Sequence, residues 1–244
     1  MIAKYEAVDP PLISPTVEVS LETSDETNLS LKLSPGEEVS GSLEIEGHPT
    51  PAVLAQKRMV RLEALDRIVG APENSGKVSL NGTFQIAPVY PCKSRLRVNP
   101  LPENAFLKSV RLDGSEIADG LVDLSRGVAG SNLKILIGLN GGQVEGTVAI
   151  APGSKASGAI VILAATPDDI GRNINVGVEV GKKYRFTGLR PGKYRLIVTN
   201  SDRGLEEENI PVMFSKAPEI EVHEGDRIIK DVTIPVEESP HAKP

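Results

Sequence analysis

The sequence predicts an all-β chain of tandem, antiparallel Greek-key β-sandwich modules, and three observations carry that expectation. Short apolar–polar alternations recur along the 244 residues, and 23 Gly and 19 Pro separate them. The pattern also repeats itself at a spacing of roughly 105 residues. A period of two marks strands that show one face to a core, Gly and Pro clusters mark turns, and self-similarity outranks local propensity in deciding a fold. Hydrophobic residues make up 39% of the chain but aromatics only 3%, with no Trp. The core is therefore built from Val, Ile and Leu, which suits a pleated sheet.

The elements follow in order. Segments 16–21 (TVEVSL), 28–33 (NLSLKL), 39–45 (VSGSLEI) and 144–150 (VEGTVAI) each alternate. Segment 77–86 (KVSLNGTFQI) sets two strands about Asn81 and Gly82. That dipeptide predicts a hairpin with a type I′ turn. Segment 52–65 is rich in helix formers, but the repeat sets 60–65 opposite 159–164 (AIVILA), which is plainly a strand. Residues 59–65 are therefore read as a strand and 52–57 as an insertion with room for a helical turn.

The repeat register also matches 28–33 and 39–41 with 132–137 and 144–146. Segment 219–225, leading into 231–236, matches the closing strands of earlier units. The organisation expected is then 1–36 as closing strands of a truncated preceding repeat, 37–141 as one β-sandwich, 142–239 as a second, and 240–244 as a tail. Half a sandwich cannot bury its own face, so the opening strands must pack on a neighbour or stay disordered. No charged-then-apolar leader opens the chain. A cytosolic protein or a piece of a longer one are the two alternatives, and the stranded half-unit points to the second.

Segment 186–196 (FTGLRPGKYRL) is the sharpest stretch in the chain. It resembles the signature of carboxypeptidase regulatory-like domains, prealbumin-like (Ig-like) sandwiches related to the Cna B-type repeats. Gly142 to Gly146 (GQVEG) is similar to the first strand of that family. On this resemblance Phe186 and Leu189 anchor one strand, Pro191 and Gly192 turn the chain, and Tyr194 and Leu196 point into the same core. Segment 84–96 is similar to a degenerate copy, with Cys92 and Lys93 near the usual Gly. Segments 106–114 and 119–124 resemble stretches of large bacterial multi-repeat envelope proteins. The resemblance implies a periplasmic, outer-membrane-associated or secreted location. Some relatives carry a self-formed Lys–Asn or Lys–Asp isopeptide bond. Asp231 offers an acyl partner here, but Val198 stands where the promoting Glu belongs and 143–150 holds no Lys, so no self-crosslink is expected.

Chemical sites find little support in the residues. His48, His223 and His241 are scattered, without ligand spacing. Cys92, the one cysteine, permits no internal disulfide or thiolate cluster; with Lys93 beside it, its alternatives are an activated thiol or a half-buried thiol on a strand edge. The acidic loops 166–171 and 202–209 offer clustered oxygens of the kind calcium takes but lack the EF-hand spacing, so a solvated surface is the reading set beside a calcium site, and Gly-rich 138–142 is a turn and not a phosphate loop. No catalytic, cofactor-binding or metal residue is assigned, no cofactor is expected, and the chain is read as a non-enzyme.

The formal net charge of −6, with no basic stripe that could neutralise phosphates, argues against a nucleic-acid partner. The longest apolar run, 158–165, is far short of the ~20 residues that span a bilayer, so no membrane insertion is expected. Two readings remain. One is a structural spacer or protein-interaction module of a multi-repeat envelope protein, partnered by neighbouring repeats or another protein. The alternative is a polysaccharide-binding or substrate-presenting accessory domain, for which Tyr5 and Tyr90 are the aromatic platform candidates.

Overall fold

The computed structural model describes residues 3–8, 10–14, 30–65, 74–153, 156–166, 175–201 and 209–234. Of the expected strands, 16–21 lies outside these residues. The chain divides into two compact units, one formed by Met1–Pro102 with Leu107–Leu139 and the other by Glu103–Phe106 with Asn140–Pro244.

The first unit opens with a small two-stranded sheet, β1 (Lys4–Tyr5) and β2 (Leu12–Ile13). Ile13 is fully buried and bridges to Ser34. Of the expected strand 28–33, residues 28 and 29 lie outside the described residues, and 30–33 form no strand, so Leu31 and Leu33 do not enter a ladder. The sandwich proper is built from β3 (Glu37–Ile45), the short helix α1 (Pro51–Ala55), β4 (Met59–Ala64), β5 (Asn74–Lys77), β6 (Thr83–Val89), β7 (Lys93–Asn99), β8 (Phe106–Leu112), β9 (Ser115–Glu116), β10 (Leu121–Asp123) and β11 (Asn132–Gly138). One sheet has the order β10-β7-β4-β5 and the other β6-β3-β11-β8-β9. Their facing sides bury Val39, Val60, Leu62, Ile86, Leu96 and Leu133, among others.

Helix α1 falls within the expected insertion. Thr50 caps it by accepting from the Val53 amide, and Pro51 suits its first position because no backbone N–H is needed there. Arg58 closes the other end, donating to the carbonyls of Val53 (2.6 Å) and Gln56 (3.3 Å). Burial holds its guanidinium below the ordinary arginine range. Residues 59–64 form strand β4, as expected, despite their helix propensity.

The hairpin at Asn81 and Gly82 is different from the expectation. Gly82 turns the chain at φ +85°, and Asn81 is not in the left-handed region, so the turn is not type I′. Strands β5 and β6 belong to opposite sheets. Gly76 lets β5 and β6 approach closely: a Cβ there would lie 2.0 Å from the Gln85 carbonyl oxygen.

The second unit comprises β12 (Gly142–Ile150), β13 (Gly158–Ala164), β14 (Asn175–Glu179), β15 (Lys183–Leu189), β16 (Gly192–Asn200), helix α2 (Ile210–Lys216), β17 (Glu219–Val222), β18 (Arg227–Ile229) and β19 (Val232–Ile234). Its sheets run β14-β13-β16-β17 and β15-β12-β18, with β19 continuing on β12. The pairing scheme is that of the first unit. β12 stands where β3 does, β13 where β4 does, and β16 where β7 does, down to a bulge at the start of each first strand. The signature residues Phe186, Leu189, Tyr194 and Leu196 all enter this core, and Pro191 and Gly192 make the turn from β15 to β16. Tyr194 Oη donates back to the Arg190 carbonyl at 2.7 Å, tying the strand to its own turn.

Strand β13 is buried on both faces. Its outer residues Ile162 and Ala164 pack with Ile197 and Ala217, against Ile160, Ile210, Met213 and Phe214. Helix α2 thus covers the outer face of this sheet. That double burial is why 158–165 reads as a continuous apolar run.

The ladders are antiparallel with one kind of exception. In each unit the first strand pairs in parallel with the last: β3 with β11 from Ser40–Asn132 to Ile45–Ile137, and β12 with β18 and then β19.

Candidate functional site

The most elaborated polar chemistry gathers at these first-to-last strand seams. In the second unit, Glu145 on β12 accepts from Arg227 Nη2 at 2.8 Å and Nε at 3.1 Å on β18. It also accepts from Gln143 Nε2 at 2.9 Å, while Gln143 Oε1 accepts from Arg185 of β15 at 3.0 Å. Three strands are therefore clasped by one carboxylate and one amide. The hydrogen bond from Arg227 holds the Glu145 carboxyl below the ordinary range.

The closing strand breaks between β18 and β19 at Lys230 and Asp231. The break is hydrogen-bonded on every side. Lys230 N–H donates to the Glu145 carbonyl at 2.8 Å, Thr147 N–H donates to Asp231 Oδ1 at 2.7 Å, and Tyr184 Oη donates to the Lys230 carbonyl. Tyr184 is 1% exposed. Desolvation, then the charge of Asp231, pushes its phenol up to about 12.

Gly146 makes the approach possible. A Cβ there would stand 1.9 Å from the Lys230 carbonyl oxygen and 3.0 Å from the Tyr184 ring. The first unit has the same device: a Cβ on Gly41 would lie 2.4 Å from the Leu133 carbonyl of β11 and 2.3 Å from the Phe84 ring. The glycine of the first-strand motif is thus a seat for the closing strand and for a ring from the neighbouring strand.

Other sequence candidates fall apart in space. Tyr90 is 0% exposed and donates from its hydroxyl to the Pro11 carbonyl at 2.6 Å. It offers no platform for a sugar; this corrects its reading as an exposed aromatic. Its ring lies just past the end of β6 and against Gly36, where a Cβ would stand 3.1 Å from it. Tyr5 is half exposed. Cys92 is fully buried, not half-buried, with its Sγ 3.3 Å from Ser94 Oγ, while Lys93 faces outward.

His48 is exposed. His223 is exposed and held by Asp226, whose Oδ2 lies 3.1 Å from Nδ1 and accepts the His223 amide at 2.8 Å; the amide bond lowers the Asp226 pKa. His241 lies outside the described residues, as does most of both acidic loops. Asp231 is held by the Thr147 amide, and Val198 sits in the β13–β16 ladder opposite Val161. Residues 139–141 link β11 to β12. Among the described residues no three of His, Cys, Asp and Glu gather as a metal-ligand set, and no helix is long and apolar enough to cross a membrane.

No family model matches the chain, and no curated protein matches it. Among solved structures it is similar to a minor pilin of Streptococcus agalactiae, with 11% identity, 86% of this chain and 100% of that chain covered, and a TM-score of 0.30. A streptococcal ancillary pilin shows 12% identity, coverage of 95% and 75%, and a TM-score of 0.35. The major pilin subunit of Bacillus cereus shows 8% identity, coverage of 82% and 98%, and a TM-score of 0.26.

Proposed function

We propose that this chain is a non-catalytic, load-bearing spacer of a multi-repeat bacterial cell-envelope protein. The observation that carries the reading is the parallel seam. Because β3 and β11 run side by side in the same direction, the chain enters the unit at one end and leaves it at the other. The same holds for β12 with β18 and β19. Tension along the backbone then pulls the two strands past each other, loading all their inter-strand hydrogen bonds together. An antiparallel first-to-last pair would instead be peeled open one bond at a time.

The Glu145–Arg227 clasp and the Tyr184 and Asp231 bonds at the strand break reinforce the second seam across the direction of pull. The envelope location rests on the resemblance of 186–196, 106–114 and 119–124 described above.

Force spectroscopy on the chain tethered at both ends tests the reading. The expected result is two unfolding events, each at a higher force than when the same unit is tethered so that one sheet edge is peeled. Equal forces in the two geometries would remove the load-bearing role.

A further inference from the structure

The outer face of the first unit's β10-β7-β4-β5 sheet collects positive charge that the linear sequence disperses. Strand alternation puts Arg61 and Glu63 of β4 outward, and Lys93, Arg95 and Arg97 of β7 outward, because Val60, Leu62, Leu96 and Val98 between them are buried. Register then aligns them. Arg61 stands directly opposite Arg97 and Glu63 opposite Arg95. Lys77 of β5 lies opposite Met59, one step beyond Arg61, and Asp123 of β10 lies opposite Lys93. A diagonal stripe of Lys77, Arg61, Arg97, Arg95 and Lys93 crosses three strands, against the two carboxylates Glu63 and Asp123. This amends the expectation that the chain has no basic stripe.

The fold does not demand Arg61 or Arg97. The matching Leu62–Leu96 and Leu163–Leu196 pairs set Ile162 at the place of Arg61, Ala164 at that of Glu63 and Ile197 at that of Arg97, while Lys193 and Arg195 keep the charges of Lys93 and Arg95. Around Ile162 and Ile197 the face is apolar and lies under α2, with the Arg195 guanidinium over the Phe214 ring. In the first unit it is polar, and no helix covers it among the described residues. Arg97 Nε donates to Glu63 Oε2 at 3.3 Å, so the face shares a carboxylate among its cations and keeps a positive excess that an anionic partner would complement.

We infer that this face binds an acidic polysaccharide, a chain with carboxylates at intervals along it. Guanidinium forks match carboxylates in bidentate fashion. Alternate side chains along a strand are roughly 6.6 Å apart, which suits sparse charges. Duplex DNA carries one charge per roughly 1.7 Å, and a protein of net charge −6 with Glu63 and Asp123 set among its cations repels so dense a polyanion. A flat sheet face also offers nothing that enters a groove. This inference stands independently of the spacer reading, since it concerns one face of one unit.

The test is binding of the purified chain to polygalacturonate, with neutral dextran and a duplex DNA as comparators, at low and at physiological salt. The expected result is polygalacturonate binding that weakens as salt rises, little or no binding to dextran, and weaker binding to DNA. The double variant R61Q/R97Q, and separately K93Q/R95Q, should lower polygalacturonate affinity at least tenfold with an unchanged circular dichroism spectrum and melting midpoint. Absence of polygalacturonate binding, affinity unchanged in both variants, or stronger binding to DNA would each overturn the inference.

Discussion

Tyr184 lies across Gly146, its ring 3.0 Å from where a Gly146 side chain would begin and its hydroxyl on the Lys230 carbonyl. Ring, glycine and closing strand form one contact, and filling the glycine disrupts all of it. Gly146→Ala should therefore destabilise the second unit by about 3 kcal/mol, at the upper end for overpacking, because the obstacle is backbone and cannot rotate away. Gly41→Ala should do the same to the first unit. Gly177→Ala, with nothing within 4 Å, should be neutral or slightly stabilising. Urea unfolding of the three variants checks the order.

The same tyrosine predicts a response to alkali. Its folded pKa of about 12 lies above the ordinary tyrosine value, so the fold favours the protonated phenol. The sign follows from proton linkage. The unfolded state gives up its proton first, near pH 10, and stability falls from there up to about pH 12. Below pH 10 the contribution is fully present. Tyr184→Phe should cost about 1 kcal/mol at neutral pH through the lost hydrogen bond. The gap between wild type and variant should close as pH rises from 10, as read from thermal midpoints.

Tyr90 predicts a local effect. Its hydroxyl ties the Pro11 carbonyl to the end of β6. Tyr90→Phe should weaken the unit by about 1 kcal/mol and raise amide exchange at Lys4–Ile13 more than elsewhere. Tyr90→Ala should cost about 3–5 kcal/mol, the range for removing a buried aromatic. Hydrogen exchange with residue-level readout separates the two.

Phe214 predicts what α2 is for. Its ring sits 5.6 Å from the Arg195 guanidinium and covers Ile162 and Ile197. Phe214→Ser should lower the second unit's melting point, expose an apolar sheet face and raise dye binding and aggregation. The first unit should melt unchanged.

The sequence made the repeating frame legible because its evidence is local. Val144, Gly146, Phe186, Leu189, Tyr194 and Leu196 announce strands, a turn and a core at fixed short spacings, and the structure places all of them as a sandwich. Register comparison also recovered β4 against its own helix propensity.

Long-range pairing was not legible. Arg227 meets Glu145, and Tyr184 meets Lys230, across loops whose length carries no signal. Tyr90 was misread because its burial depends on the Pro11 carbonyl, 79 residues away in the chain, which accepts from its hydroxyl. The basic face was hidden for a simple reason. Period-two alternation inserts a buried residue, Ser94 or Leu96, between the cations of β7, and register alone brings β4 and β7 side by side.

The parallel seam also decides how such a unit can be recombined. Its two chain ends emerge at opposite poles, separated by the six paired residues from Ser40–Asn132 to Ile45–Ile137, a span of roughly 20 Å. A unit of this kind can be duplicated head to tail with a joint as short as residues 139–141. It cannot be dropped into a surface loop of another protein, nor circularly permuted, without a long added bridge. Any copy joined in this way would need the glycine seat that Gly41 and Gly146 provide for the closing strand.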